Sequence, residues 1–513
     1  MKTWPIAVVL AAVLIAMAFV TTRQVAATTS GTWDETIYLA LGRSLAAGDR
    51  VALANLGVAP LPVALVWPRR VVEPDSAPPG DPSVYRDRIS RARARAVKWF
   101  AIPCLIGVFA IIGMARGIWV GFFAAMLIVL SPNVIAHASL ATTDMAFAAV
   151  SLACVAAMIG YFRNPSPAWT AVLAIALGTS LSVKYSAVLL VAAALALFAL
   201  QFERARWKRD VTVLAMAALV AWMLHGFATA PSASAGGLPL PVFFRGLAVQ
   251  ADLDAAGQEA FLLGATSQRG WWYYFPVALV LKSTPIELMS LAVFLSVALR
   301  RMRSVEHRVA ATTVAIFVAA SLVTHRDLGV RYLLPVTVIC LAGAAAWLSD
   351  LVKDRRRLAL MAAAAIAVQL ASHVSIAPDY LAYFNGLSGG AGTGYRKLVD
   401  SNLDWGQDLP RLADWLAARG TNRVALAYYG TAPAAAYGID AVDLRRAAQP
   451  AQPRFAAISA TLLQGVSLCG DPLAGFRTLT EDGRAGYSIF IYSLERPEVA
   501  AALSNAVNDP CAP

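Results

Sequence analysis

The stretch 168–201, AWTAVLAIALGTSLSVKYSAVLLVAAALALFALQ, holds a single charged side chain, Lys184, near its middle. A helix crosses the hydrocarbon core of a bilayer in roughly 17–25 residues, and each half of this stretch has about that length. A helix lying on a soluble core would show a polar face, and neither half does. The stretch reads as two membrane spans, 168–184 and 185–201, that turn at Lys184.

The rest of the chain extends this reading. Of 513 residues, 58% are apolar and 14% charged, and mean hydropathy is +0.61. An ordinary soluble domain carries about 25% charged residues. The composition excludes a disordered chain, a fibrous repeat and a typical cytosolic enzyme. Further apolar runs lie at about 4–21, 97–114, 118–137, 142–162, 211–230, 274–299, 309–325, 330–349 and 358–376. The expected architecture is therefore mainly α: a polytopic membrane domain of about eleven helices over 1–376, followed by a polar tail over 377–513.

The net charge of +12 does not point to nucleic acid, because the basic residues cluster between apolar runs. The clusters are Arg204/Arg206/Lys208/Arg209, Arg300/Arg301/Arg303/Arg308 and Lys353/Arg355/Arg356/Arg357. With the N-terminus inside, all three fall on the cytoplasmic side, as do Arg116 and Arg163. Arg91, Arg93, Arg95 and Lys98 run against the pattern, at the end of a long first loop (22–96) where the rule is weak. This orientation puts outside that loop, the turns near 138–144 and Lys184, the segments 231–273 and 325–331, and the tail.

Titratable residues gather on the outer face. Asp34 and Glu35 follow the first span in Gly31-Thr-Trp-Asp-Glu-Thr-Ile-Tyr38. They suit the first turn of a helix capped by Thr32, and a carboxylate mounted there also suits a general base. Asp144 opens the fourth span, as a cap or as a third acid on that face. Lys184 either snorkels or meets an anion. Lys282 stands inside an apolar run after Trp271-Trp-Tyr-Tyr-Phe-Pro276, where a charge is costly unless it lines a polar cavity or pairs with an anion. Pro276 and Pro285 predict a kinked or broken helix there. His325-Arg-Asp-Leu-Gly-Val-Arg331-Tyr332 packs four basic or acidic groups into a short loop, and arginine suits phosphate oxygens. Cations for a phosphate beside a carboxylate base are what a glycosyl-phosphate transferase needs. A transporter would show internal repeats, and none is visible.

In the tail, a helix is expected at 407–419 and strands at 422–429, 454–460 and 486–493, a small α/β domain. Asp400, Asn402, Asp404 and Asp408 read as turn and cap chemistry, since the segment lacks the spacing of a calcium loop. Cys469 and Cys511 form a candidate disulfide; Cys104, Cys154 and Cys340 sit in apolar runs. No metal-ligand set is visible and no cofactor is expected, with participation of a divalent cation left open.

Several pieces carry a resemblance. They are Trp33-Asp34-Glu35, Ser131-Pro-Asn-Val-Ile-Ala-His137 with Thr142-Thr-Asp144, Gly178 with Lys184-Tyr-Ser186, Tyr273-Tyr274 with Lys282, and Gly329-Val-Arg-Tyr-Leu-Leu-Pro335. Tyr383-Phe-Asn385 and Asp400-Ser-Asn-Leu-Asp-Trp-Gly-Gln-Asp408 extend it into the tail. In order and expected sidedness the chain resembles the bacterial polyprenyl-phosphate-dependent glycosyltransferases of the GT-C superfamily. Within them it is similar to the protein O-mannosyltransferase and aminoarabinose-transferase group, glycosyltransferase family 39.

The resemblance implies an inverting enzyme of the bacterial cytoplasmic membrane that takes its sugar from a polyprenyl phosphate at the outer face. It implies Asp34 as general base and Lys184, Lys282 and Arg331 as the donor-phosphate cations. Glu35, Tyr38 and Asp144 would shape the substrate site, with Arg245, His325 and Tyr332 completing it. It also implies that the first apolar run is a retained span, although that run has the features of a signal peptide. The tail has neither the beta-trefoil module of eukaryotic O-mannosyltransferases nor the Trp-Trp-Asp-Tyr-Gly motif of oligosaccharyltransferase subunits, and both absences weigh against a protein acceptor, with lipid, glycan and protein all left open. The rival readings are a lipid-linked sugar transporter and a non-catalytic polysaccharide-assembly partner.

Overall fold

The computed structural model describes residues 4–73, 82–201, 203, 204, 206–231, 239–444 and 453–507. Every one of the eleven expected runs is helical. Five helices are long and apolar enough to cross a membrane by length and composition: Trp4–Thr28, Pro82–Arg116, Asp144–Arg163, Val330–Leu351 and Arg355–Val374. Others are shorter or broken. The run at 118–137 is two helices, Ile118–Val129 and Pro132–Ala138, bent by 73°. The bend follows from Ser131-Pro132: Ser131 caps the second helix by accepting the Val134 N–H at 3.2 Å, and Pro132 opens it.

The run at 274–299 is broken as well, into Tyr274–Lys282 and Pro285–Arg300. The break falls at Ser283-Thr284, ahead of Pro285, while Pro276 is accommodated in a first turn. Thr284 and Glu287 form a capping box: the Thr284 N–H donates to Glu287 at 2.9 Å and the Glu287 N–H to the Thr284 hydroxyl at 3.1 Å.

Lipid is as apolar as the helices, so close fit and interhelical hydrogen bonds hold the bundle. A Cβ on Gly178 would stand 2.6 Å from the Ala217 carbonyl oxygen, so glycine lets Pro167–Val183 and Trp207–Leu224 approach backbone to backbone. The outermost helix, Arg355–Val374, buries only Gln369 and His373. Gln369 accepts from the Thr284 hydroxyl at 2.7 Å and donates to the Leu127 carbonyl at 3.3 Å.

Beyond the last span lies a five-stranded sheet of β1 (Arg423–Ala427), β2 (Asp440–Asp443), β3 (Phe455–Ser459), β4 (Gly483–Ala485) and β5 (Ile489–Ser493). Its order is β2-β1-β3-β5-β4, with β1 parallel to β2 and β3, and β5 antiparallel to β3 and β4. The central strands and the helix Leu409–Ala417 fall within the expected elements. The edge strands β2 and β4 are short and partly exposed, and their sequences carry no apolar alternation. Leu409, Leu412 and Leu416 share one helix face and pack with Val424, Phe455 and Ile491. Cys469 is disulfide-bonded, and Cys511 lies outside the described residues.

Candidate functional site

Thr32 caps the helix Trp33–Ala46, and Asp34 and Glu35 stand in its first turn. Adjacent helical residues point about 100° apart, so the two acids part company. Glu35 turns inward. One of its oxygens accepts from Arg93 Nε and the Ala141 N–H, each at 2.8 Å; the other accepts from Arg93 Nη2 at 2.7 Å and the Thr32 N–H at 2.9 Å. Burial acts to raise its carboxyl, but Arg93 and these donors outweigh it and hold the carboxyl below its ordinary range. Arg93 spends its remaining donors on Thr29 and the Ser30 carbonyl, and Arg95 donates to the Leu65 carbonyl. Two of the basic residues that ran against the orientation pattern are thus spent on groups of the first loop, and a third, Arg91, pairs with Asp87 one helical turn away.

Asp34 faces outward, into a cavity of about 520 Å³. Arg331 Nη1 donates to its carboxylate at 2.9 Å and stands 3.6 Å from Asp144, while Lys184 Nζ reaches the other Asp144 oxygen at 2.6 Å. Two acids and two cations form one chain. Arg331 lies 4.2 Å from the ring centre of Trp405, and its Nε is buried without a partner among the described residues. Lys184 is the extended residue between two helices and sits 4.8 Å from the ring centre of Tyr332. Tyr38 lines the same cavity; burial pushes its phenol well above the ordinary range, with Asp34 and Asp144 adding to the effect.

The structure does not bring every expected residue here. Glu35 is spent on Arg93, as above. Lys282 is buried behind the wall, donating to the carbonyls of Leu381 at 2.8 Å and Asn402 at 2.5 Å beneath the Phe384 ring. Its Nζ is spent on backbone carbonyls, not aimed at an open site. Arg245 pairs with Asn55 at the surface. His325 is half-exposed, 3.9 Å from Asp254. Its neighbour Arg326 takes the cavity position instead, donating to Gln250 at 2.8 Å.

Four cavity residues come from beyond the last span: Asp400, Trp405, Tyr429 and Ser467. Backbone bonds dock this part of the chain on the start of the first loop, Ser30 N–H to Gln407 at 2.8 Å and Trp33 N–H to Trp405 at 3.0 Å. Trp33 stacks on Tyr429 with ring centres 4.9 Å apart. The sequence signal for Asp400 is its cluster of acids, which the sequence reading assigns to turn and cap chemistry. Among the described residues no group of three or more His, Cys, Asp or Glu is gathered as for a metal ion.

A second cavity, of about 350 Å³, adjoins the first and is walled mainly by apolar side chains such as Leu189, Leu247 and Phe317. It shares Lys184, Gln250, Arg326 and Tyr332 with the first, but not Asp34, Asp400 or Tyr429.

No protein-family model matches the chain, and no curated protein does. Among solved structures, ArnT from Cupriavidus metallidurans in the apo state aligns over 98% of this chain and 99% of its own, at 14% identity and a TM-score of 0.51. The chain has the fold of this ArnT. A structure of the same ArnT bound to undecaprenyl phosphate aligns over the same shares, at 15% identity and a TM-score of 0.49. The correspondence with ArnT runs through both the helical bundle and the small C-terminal sheet, and this ArnT-like chain is a multi-pass membrane protein.

Proposed function

We propose that the chain is a glycosyltransferase that moves a sugar from a polyprenyl-phosphate carrier to an acceptor at the outer face of the bacterial cytoplasmic membrane, with its N-terminus inside and its C-terminal part outside. One observation carries the reading. A polar cavity with a carboxylate at one side and Lys184 and Arg326 at the other opens beside an apolar cavity that shares those cations. A lipid phosphate has that division of chemistry. The carrier class is also that of the ligand in the undecaprenyl phosphate complex of ArnT.

In this reading Lys184 and Arg326, shared by the two cavities, and Arg331 beside Asp34 hold the donor phosphate. A phosphate arriving at Arg331 competes with Asp34 for the guanidinium and frees that carboxylate. Asp34 then takes the proton of the acceptor's hydroxyl or amine, which attacks the anomeric carbon from the face opposite the phosphate. The carbon–oxygen bond to phosphate breaks, the electron pair leaves with the phosphate, and the cations stabilise the charge gathering there. Single-step displacement inverts the anomeric centre.

The test is transfer from a panel of radiolabelled polyprenyl-phosphate sugars to membrane-extract acceptors, with wild type beside Asp34→Asn. Label transferred by wild type alone supports the reading. Equal transfer by both removes Asp34 from its role, and absence of transfer with carrier binding intact overturns the transferase reading.

A further inference from the structure

Asp400 stands on the cavity wall yet belongs to the C-terminal part of the chain. Its backbone is left-handed, with φ +54°. A non-glycine residue holds that conformation at some cost, and such outliers persist where surrounding bonds over-determine them. Here the Asp400 N–H donates to the Thr461 hydroxyl at 3.1 Å, and the Asp400 carbonyl accepts from Leu403 and Asp404 at 2.9 and 2.8 Å.

The loop is also tied to the turn that carries Arg331. Asn402 accepts the Val330 N–H at 3.0 Å, and the Ser401 hydroxyl donates to the Leu328 carbonyl. Lys282 anchors the same loop through the Asn402 carbonyl. Asp400 is therefore held in fixed relation to Arg331 and Asp34.

Its carboxylate has acceptor capacity to spare. The Tyr429 hydroxyl donates to it at 2.8 Å and the Ser401 N–H to its other oxygen, whereas a carboxylate offers about four lone-pair sites. Among the described residues no Lys, Arg or His forms an ion pair with it. Beside it Tyr429 and Trp33 stack, presenting aromatic surface to the cavity. Acceptor oxygens next to aromatic faces match a sugar ring, which has hydroxyl donors at its rim and C–H faces above and below. This end is not shared with the apolar cavity, so a lipid phosphate at Lys184 and Arg326 would send its sugar this way.

We infer that Asp400 is a specificity-determining residue of a sugar subsite, accepting hydrogen bonds from the hydroxyls of a donor sugar that carries no acidic group, with Trp33 and Tyr429 as its aromatic wall. The inference rests on the glycosyltransferase reading. A uronic acid in this subsite would meet Asp34 and Asp400 with Arg331 as the nearest compensating charge, and like charges brought together select against it.

The test measures binding of the full-length protein to bare undecaprenyl phosphate and to the same carrier bearing glucose or glucuronic acid. Asp400→Asn keeps the backbone, since asparagine tolerates positive φ. It should leave bare-carrier affinity unchanged and weaken the glucose-bearing carrier by about tenfold, the scale of one hydrogen bond to a charged acceptor. It should also narrow the preference for glucose over glucuronic acid. Tyr429→Phe keeps the stack, removes the hydroxyl that aims Asp400, and should move the same affinities less far. Equal losses for bare and loaded carrier, or no change at all, overturn the inference. So does a wild-type protein that binds the bare carrier but the loaded one no more tightly, which leaves the carrier reading standing. Wild type that binds neither overturns both.

Discussion

Arg331 Nη1 lies 2.9 Å from the Asp34 carboxylate and 3.6 Å from that of Asp144, so one guanidinium links an acid from the first loop to an acid at the mouth of a membrane helix. The link couples the base to the phosphate site in the proposed reaction. A planar fork can serve two acceptors at once, and an ammonium is a single point charge.

Arg331→Lys is therefore expected to fold and to lose most transfer activity despite keeping its charge. Asp34→Asn is expected to lose a factor of about 10² to 10⁴, the usual worth of a positioned base. Transfer rates, with gel-filtration profiles as the control for folding, check both. Near-wild-type turnover by Arg331→Lys would sever the link from the chemistry.

Glu35 and Arg93 form a fully buried pair whose bonds reach Thr29, Ser30, Thr32 and the Ala141 turn. Removing one partner strands the other, which costs about 3–5 kcal/mol. Glu35→Gln should lower the thermal midpoint sharply. The Glu35 carboxyl is depressed in the fold. Its contribution is therefore present above the unfolded value of 4.5 and lost as pH falls through the lower folded value. An acid titration of thermal stability should lose that component in Glu35→Gln, and a variant as stable as wild type would contradict the assignment.

Lys184 and Lys282 were grouped by sequence, and the structure separates them. Lys184→Ala is expected to weaken binding of polyprenyl phosphate, with the smaller loss in thermal midpoint because Arg331 still faces Asp144 at 3.6 Å. Lys282→Ala is expected to do the reverse in the first instance, loosening the loop that holds Asn402 and lowering the midpoint. Midpoints and carrier-binding isotherms measured on both variants decide the matter; identical behaviour would refute the division.

Asp404 is buried beneath the C-terminal sheet, with the Thr461 N–H at 2.8 Å from one oxygen and the other unpartnered among the described residues. Burial pushes its carboxyl from 3.8 up to about 7. A raised folded value means that the group's contribution is present below 3.8 and is lost as pH rises through about 7. Asp404→Asn should flatten the decline in thermal midpoint between those values. An unchanged slope would show that Asp404 ionises freely in the fold.

The apolar runs were legible because a lipid-facing helix must be apolar over its whole surface, which needs no tertiary information to see. The breaks were nearly as legible: Ser131-Pro132 and Thr284-Pro285 interrupt their helices through local sterics. Thr32 as a cap with two acids in the following turn is likewise a local statement. The edge strands of the C-terminal sheet were not legible, since short exposed strands need no apolar alternation.

The site divides along the same line. The sequence by itself determined a helical membrane protein, a capped helix presenting Asp34, and a set of cations along one face, because each follows from side chains interacting with neighbours in the chain or with the solvent around it. Only the tertiary structure decided which of those groups meet. Asp34 and Glu35 are adjacent in the chain and face apart, because a helix turns by about 100° per residue. His325 and Arg326 are likewise adjacent, and only Arg326 lines the cavity. Asp400, nearly 370 residues from Asp34, shares its cavity because backbone bonds from Ser30 and Trp33 to Gln407 and Trp405 seat the C-terminal part on the first loop. Such long-range pairings leave no periodicity in the sequence, so packing alone sets them.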